Sequence, residues 1–374
     1  MKIINNQIQD EELFVVIDLH KKRWHVTIRT VDVEIFSSSI VGRWEDLRRI
    51  LNQYKGCRIH AVYEAGYLGF WLFDLLTHYG VDCIVTPPSL IPKEYGNRVK
   101  TDRLDSRKLA QLLAKGMLKR VWVPGTEERS HRQVIRRRRQ WAGDRVRIQN
   151  RIKSELSFYG VDLPTPRGKW TQVYFINLQR IKFANGWLQQ SFNQLLEQYE
   201  FLCAQIAKQS QLLKQLAQQP MYYERVKILC SIPGIGILSA MEILLELQDI
   251  SRFRRPEHLA AYVGLTPSQY SSADKIRMGR ITGAGKRTVR AALVESCWYL
   301  IRKDKAMRKK YELIRARAGG KRVIVAVSRK LLLCIRTVFG NNNKQIGHLS
   351  PKDLLPGDGC WNGQIQSICQ ARYI

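Results

Sequence analysis

LFVVIDLHKKRWHVTIRT, residues 13–30, decides how the first third of the chain is read. LFVVID (13–18) is an unbroken apolar run ending on an acid, which suits a buried strand. RWHVTIRT (23–30) alternates instead, with Trp24, Val26 and Ile28 on one side, as a half-buried strand does. Outward from this pair, VDVEIFS (31–37) is expected to form a third strand and WEDLRRILNQY (44–54) a helix. RIHAVYEA (58–65) reads as a strand, LGFWLFDLLTHYG (68–80) as a helix ending at Gly80, and VDCIVTPP (81–88) as a fifth strand stopped by its prolines. DRLDSRKLAQLLAKG (102–116) has helical spacing, with Leu104, Leu109, Leu112 and Leu113 on one side. Three strands followed by α-β-α-β-α give an α/β domain over 1–125, a mixed sheet with flanking helices.

The charge balance narrows the partner. Lys and Arg total 62 against 32 acids, a net charge of +30. So positive a field repels itself, and an anionic polymer relieves it. Nucleic acid is therefore the expected partner. The eight cysteines, Cys57, Cys83, Cys203, Cys230, Cys297, Cys334, Cys360 and Cys369, form no CxxC pair. They read as thiols of a reducing, cytoplasmic compartment rather than as a disulfide frame or zinc site. The polar N-terminus MKIINNQIQDEE does not resemble a signal peptide, and no apolar run is long enough for a membrane span.

From about residue 126 the composition turns helical. HRQVIRRRRQWAGDRVRIQNRIK (131–153) carries nine cations against the single acid Asp144. That density marks a phosphate-binding helix with Arg136, Arg137, Arg138, Arg139 and Arg145 as contacts; the alternative is a solvated charged face. LPTPRG (163–168) reads as a turn. Leu188, Phe192, Leu195, Tyr199, Leu202, Ile206, Gln209, Leu213 and Leu216 follow in alternating steps of four and three, with Pro220 ending the run. This heptad seam predicts a coiled coil within 126–220, either between chains or as an antiparallel hairpin within one. Self-association to a homo-oligomer, dimer or tetramer, is the favoured expectation. Residues 221–340 are expected to be helical and basic, and 341–374 a loosely attached tail.

Three constellations carry chemistry. Asp18 and Glu64 each close a buried strand, where an acid is costly unless paired or bound to a cation. KTDRLDSRKLA (100–110) puts Asp102 and Asp105 on one helix face. Each acid alone reads as a salt-bridge partner or a helix-start residue; the four together would hold a hard divalent cation, Mg²⁺ above all. SIPGIG (231–236) between helices resembles a helix-hairpin-helix turn, whose Gly234 and Gly236 amides would face a phosphate; the alternative is a tight turn between core helices. In GLTPSQYSSADKIRMGRITGAGKRTVRAAL (264–293), Ser271 and Ser272 precede Lys275, Arg277, Arg280, Lys286, Arg287 and Arg290. On the residues alone this is a phosphate-binding loop with hydroxyl donors, or a nucleophile with cations to steady the charge on the phosphoryl oxygens.

VVIDLHKKRWHV, AVYEAG, KTDRLDSRKLA, SIPGIG and the 264–293 segment occur, in this order, in a family that the chain resembles. These are the DEDD-type transposases of bacterial insertion sequences, the IS-one-ten family, whose studied members are RNA-guided bridge recombinases. The resemblance implies a RuvC-like N-terminal domain of the RNase H superfamily, a coiled-coil insertion and a mostly α-helical C-terminal transposase domain bearing a serine nucleophile. It implies that Asp18, Glu64, Asp102 and Asp105 are the catalytic, Mg²⁺-binding acids. Ser272 is the implied nucleophile, since the family's serine directly precedes a small residue. That residue is Ala273 rather than the usual glycine, Ser271 adjoins it, and Gly285-Lys286 stands where Gly-Asn is usual. The implied function is a bacterial, nucleoid-associated recombinase that cuts and rejoins DNA through a phosphoserine, with a structured guide RNA as a further partner. The alternatives are a metal-dependent junction nuclease and a non-enzymatic nucleic-acid-binding protein.

Overall fold

The structure, a computed structural model, describes residues 11–92, 101–162, 170–272 and 275–342. Of Asp102, Ser271, Ser272, Lys275 and Ile276 only the backbone is described. The expected turn at 163–168 and the tail from 343 lie outside the described residues, as do Cys360 and Cys369. The chain divides into two compact units at Pro124 and Gly125.

In the first unit, β1 (Glu12–Leu19), β2 (Arg23–Arg29) and β3 (Glu34–Val41) form an antiparallel meander. After α1 (Trp44–Leu51), β4 (Arg58–Glu64) lies parallel to β1; after α2 (Trp71–His78), β5 (Asp82–Thr86) lies parallel to β4. The mixed sheet has the order β3-β2-β1-β4-β5. The opening run is apolar throughout because β1 is central and both its faces are covered. Leu13, Val15 and Ile17 join Trp24, Leu47, Leu51, Tyr63, Leu72 and Leu76 in one core, beneath α1 and α2. Phe14 and Val16 point the other way, with Val62 and Ile84, into a second core closed by Leu109, Ala110 and Leu113 of α3 (Asp102–Ala114).

Two details depart from the sequence reading. The third strand begins at Glu34 rather than Val31, because residues 30–33 are a turn. The Thr30 hydroxyl accepts from the Val33 amide, and the Arg29 guanidinium donates to the carbonyls of Thr30 and Val31. On α3, Leu104 is 41% exposed. The buried stripe is Ser106, Leu109, Ala110 and Leu113, spaced i, i+3, i+4, i+7, so a serine occupies the place expected of a leucine.

The second unit is mostly helical. Its long helices α4 (Thr126–Phe158) and α6 (Gly186–Ala217) lie side by side, with α5 (Gln172–Gln179) at one end. Ile148, Ile152 and Leu156 meet Phe192, Leu196, Tyr199 and Leu202 there, whereas Ile135 shares a core with Leu213 and Leu216. The pair is therefore antiparallel. The apolar seam of α6 is buried against α4 of the same chain, with Leu196 replacing Leu195 as the buried residue of its turn. A packed helix pair thus accounts for the heptad pattern within one chain, and a supercoiled seam between chains is not required by it.

Next come α7 (Tyr223–Cys230), α8 (Ile237–Leu247) and α9 (Pro256–Val263), then α10 (Arg287–Lys303), α11 (Lys305–Ala318) and α12 (Gly320–Asn342). Every residue of α8 from Ala240 to Leu247 is buried, so the other helices are arranged around it. Residues 221–340 are not wholly helical: β6 (Pro267–Ser272) and β7 (Lys275–Ile281) form an antiparallel hairpin. This hairpin was hidden because Gln269, Tyr270, Arg277 and Arg280 put polar or exposed groups on both faces, which erases the period-2 signal. Among the described residues no helix is long and apolar enough to cross a membrane. The six described cysteines are free thiols; burial pushes Cys83 up to about 12 and Cys297 up to about 11, which keeps both protonated and inert.

The turn between α7 and α8 brings Gly234, at φ +93°, against α10, where an added Cβ would lie 2.4 Å from the Ser296 carbonyl oxygen. Gly236 caps α8 with open space about it. Gly234→Ala is expected to cost about 2–4 kcal/mol, combining left-handed strain with overpacking. Gly236→Ala costs about 1 kcal/mol or less as a poorer N-cap. Urea unfolding of the two variants measures the difference.

Candidate active site and nucleic-acid interface

In the first unit, β1 and β4 run parallel with Ile17 opposite Tyr63, the last registered pair. Asp18 and Glu64, the next residues on each strand, therefore stand side by side at the carboxyl edge of the sheet. Alternation turns both away from the Ile17–Tyr63 core, onto the face that α3 covers. The direction of α3 follows from its ends. Leu113 and Leu118 line a cleft with Phe14, His60 and Asp82, where the strands begin. The first turn of α3, with Asp102 and Asp105, therefore points toward the edge where β1 and β4 finish.

Two anchors hold α3 in this orientation. The buried Ser106 hydroxyl donates to Thr27 Oγ1 of β2 at 3.0 Å. Arg107 grips Glu34 of β3 with two hydrogen bonds of 2.6 and 2.7 Å. That pair of bonds holds the Glu34 carboxyl below its ordinary range. Thr101 caps the helix by accepting from the Leu104 amide. Asp18 carries a neighbour the sequence reading did not single out, His20, whose Nε2 is 3.3 Å from Oδ2. Among the described residues no group of three or more His, Cys, Asp or Glu has metal-binding geometry; the side chain of Asp102 lies outside them. The donor chemistry nonetheless fits a hard divalent cation, because Asp18, Glu64, Asp102 and Asp105 offer oxygen ligands only.

In the second unit, the hairpin pairs Ser271 with Ile276 and Ser272 with Lys275. Tyr270 and Arg277 face each other across it, both exposed. Behind the hairpin the loop 282–286 is bound to α9. Arg290 donates to the carbonyls of Val263 at 2.8 Å and Ala284 at 3.1 Å. Gly285, at φ +83°, leaves no room for a Cβ beside the Tyr262 carbonyl. Lys286 reaches inward to Glu246 at 3.2 Å. Lys286 and Arg290 thus hold the loop in place, whereas Arg277, Arg280 and Arg287 are exposed.

The basic helix α4 divides in the same way. Arg136 makes two bonds to Glu246, Arg139 binds Glu242, and Arg138 donates to the Ser210 hydroxyl at 2.8 Å. Arg137 faces solvent, and Arg145 is half-buried with an unbonded Nε. Of the two glycines in the α7–α8 turn, Gly234 is explained by its close approach to α10, and Gly236 has an open surround.

Glu246 is the residue that sequence reasoning missed. It is 2% exposed, and Arg132, Arg136, Arg139 and Lys286 surround it. A signal was available: MEILLEL places two acids, Glu242 and Glu246, four apart in an otherwise apolar helix. Burial pushes the Glu246 carboxyl up, but the bond from Arg136 and the charges of Lys286 and Arg136 outweigh it and hold it at about 2. A depressed carboxyl stabilises the fold above its unfolded value of 4.5, and that contribution is lost as pH falls toward 2. Glu246→Gln, which strands buried cations, is expected to cost about 3–5 kcal/mol at pH 7. The gap to the parent protein should narrow as the pH falls below 4.5. Denaturant midpoints across that range measure both effects.

Comparison with known proteins gives two family matches. Residues 15–161 match a DEDD transposase family of the IS110 type, and residues 226–312 match the family described as Transposase IS116/IS110/IS902. The y4qE transposase-like protein of Sinorhizobium fredii is 29% identical over 297 residues, covering 77% of this chain and 71% of its own length. The transposase for insertion sequence element IS1533 of Leptospira borgpetersenii is 27% identical, covering 64% and 70%. The transposase for insertion sequence element IS1111A of Coxiella burnetii is 26% identical, covering 64% and 66%.

Proposed function

We infer the following mechanism from the premise that this chain belongs to the IS110 family of insertion-sequence transposases, enzymes that cut and rejoin DNA. Asp18 and Glu64, together with Asp102 and Asp105 from the first turn of α3, form the acidic half of the chemistry. The observation that carries this reading is the pairing of Asp18 and Glu64 at the ends of neighbouring parallel strands, on the face that α3 covers. Acids so placed would hold a divalent cation, Mg²⁺ in this reading, which when bound supplies charge neutralisation at a scissile phosphate. The order and direction of the five strands are compatible with an RNase H-like fold.

Ser272 is the proposed nucleophile. Its oxygen forms a bond to phosphorus as the bond to a deoxyribose oxygen breaks. The serine proton leaves to solvent, and the departing oxygen takes one up. Arg277 and Arg280, exposed on the same hairpin, steady the charge on the phosphoryl oxygens. Rejoining reverses the step with a different deoxyribose hydroxyl. The net charge of +30 supports a polyanionic partner without distinguishing DNA from RNA, and a structured guide RNA is the proposed second partner on the family resemblance.

Incubation of the full chain with Mg²⁺, labelled element-end DNA and RNA transcribed from the element's flank should give a covalent protein–DNA band on a denaturing gel. The band should vanish with Ser272→Ala and with Asp18→Asn or Asp105→Asn. Nicked DNA without an adduct, unchanged by Ser272→Ala, would move the chemistry to water activated at the acids. In a separate titration, log affinity for DNA should fall against log salt by about 0.9 for each phosphate neutralised. A nearly flat plot would remove nucleic acid as the partner.

A further inference from the structure

Beside the serine hairpin the second unit holds a groove of about 800 Å³, walled by β7 and by the first half of α12. Its floor is apolar, with Leu265, Met278, Ile281 and Val325. Its rim is cationic, with Arg280 from the hairpin and Lys321, Arg322 and Arg329 from the helix. Lys321, Val325 and Arg329 recur every four residues, so a single stripe of α12 forms the wall and puts a charge on either side of an apolar step. None of the four rim cations makes an ion pair or side-chain hydrogen bond to another described residue, unlike the inward-turned Arg136, Arg139, Lys286 and Arg290. Met278 is 60% exposed, so its side chain is open to an occupant of the groove.

We propose that this groove binds an unpaired stretch of the DNA strand being cut, one or two nucleotides from the scissile phosphate. The inference rests on Ser272 as the nucleophile and adds the state and position of the DNA around it. Charge selects the polymer: four rim cations with no partner among the described residues suit phosphates. The floor selects the strandedness, because an apolar surface meets the face of a base, and in a duplex both faces are covered by stacking. The size agrees, since the volume falls in the range of small-ligand clefts, about 300–1,000 Å³, and admits a nucleotide or two rather than a double helix. The guanidinium planes of Arg280 and Arg322 offer further stacking surfaces beside Met278.

The hairpin fixes the distance to the chemistry. Gln269 lies opposite Met278, and Ser272 is three residues further along the same strand. Three residues of strand span about 10 Å, so a base on Met278 sits close to the backbone of Ser272. That shared hairpin is the reason for choosing DNA over RNA as the occupant.

The test uses the full chain and fluorescence anisotropy. The probes are a labelled single-stranded DNA of 12 nucleotides, the same sequence as a duplex, and the same sequence as RNA. Lys321→Ala/Arg322→Ala/Arg329→Ala should weaken single-stranded DNA binding by about tenfold or more and flatten its salt slope by about 2, at roughly 0.7 per lost phosphate contact. Duplex affinity should change little. Lys305→Ala/Lys309→Ala/Arg315→Ala, which removes equal charge from the exposed side of α11, should affect single strand and duplex alike. An equal loss on strand and duplex in the groove variant, or a loss confined to RNA, would overturn the proposal. As a measurement on the unaltered fold, an iododeoxyuridine-labelled strand should photocrosslink to β7 or α12. Crosslinks confined to other segments would also overturn it. Ser272→Ala should bind the single strand as tightly as the parent protein. If that variant still forms the covalent adduct, the nucleophile assignment fails while the binding result stands by itself.

Discussion

A carboxylate buried among four cations organises the second unit. Glu246 sits on α8, which is buried at every residue from Ala240 to Leu247, and it is reached from two directions. Arg132, Arg136 and Arg139 come from α4, and Lys286 comes from the loop behind the serine hairpin. In a chain with a surplus of positive charge, an acid at this position gathers cations that would otherwise repel one another across a low-dielectric interior. It thereby fixes the long basic helix and the hairpin loop to the same point on α8. Exposed cations outside this arrangement, such as Arg277, Arg280 and Arg287, are the ones available to a polyanion.

The first unit depends on a different constraint. A strand covered on both faces must be apolar at every position, and the first position at which an acid is tolerated is the edge of the sheet. The run Leu13–Ile17 ends at that edge with Asp18, and its parallel neighbour ends there with Glu64. The direction of α3 then decides where Asp102 and Asp105 go. It is set by a buried serine–threonine hydrogen bond and an arginine–glutamate pair rather than by the leucines alone.

Much of this was legible in the residues, for physical reasons that differ by region. Strands β1 and β2 announced themselves because β1 is apolar on both faces, whereas β2 carries Trp24, Val26 and Ile28 on one face and polar residues, including the buried Thr27, on the other. The acids Asp18 and Glu64 were visible because an acid closing an apolar run is costly without a partner. The hairpin carrying Ser272 was not visible, because a two-stranded ribbon with polar groups on both faces leaves no periodic trace. The basic helix misled in the opposite way. Four successive arginines at 136–139 look alike in sequence, yet three turn inward and one faces solvent, and the difference lies in Glu242, Glu246 and Ser210, about 70 to 110 residues away. The heptad of α6 pointed to a coiled coil and to self-association; in the structure these positions pack on α4 of the same chain, and period alone does not say whether a partner is the same chain or another.

The antiparallel pair α4–α6 is anchored at both ends, in the main core through Ile135, Leu213 and Leu216 and in a separate core through Ile152, Phe192 and Tyr199. At 33 residues and 1.5 Å per residue, α4 is about 50 Å long. A beam of that length with a stiff packed base behaves as a lever. A tilt of about 5° at Glu246 would displace the far core around Ile152, about 24 Å along the helix from Arg136, by about 2 Å, given that 1.5 Å rise. The same arithmetic runs in reverse: whatever grips the distal end exerts a torque on α8 and, through Lys286, on the loop behind the serine hairpin.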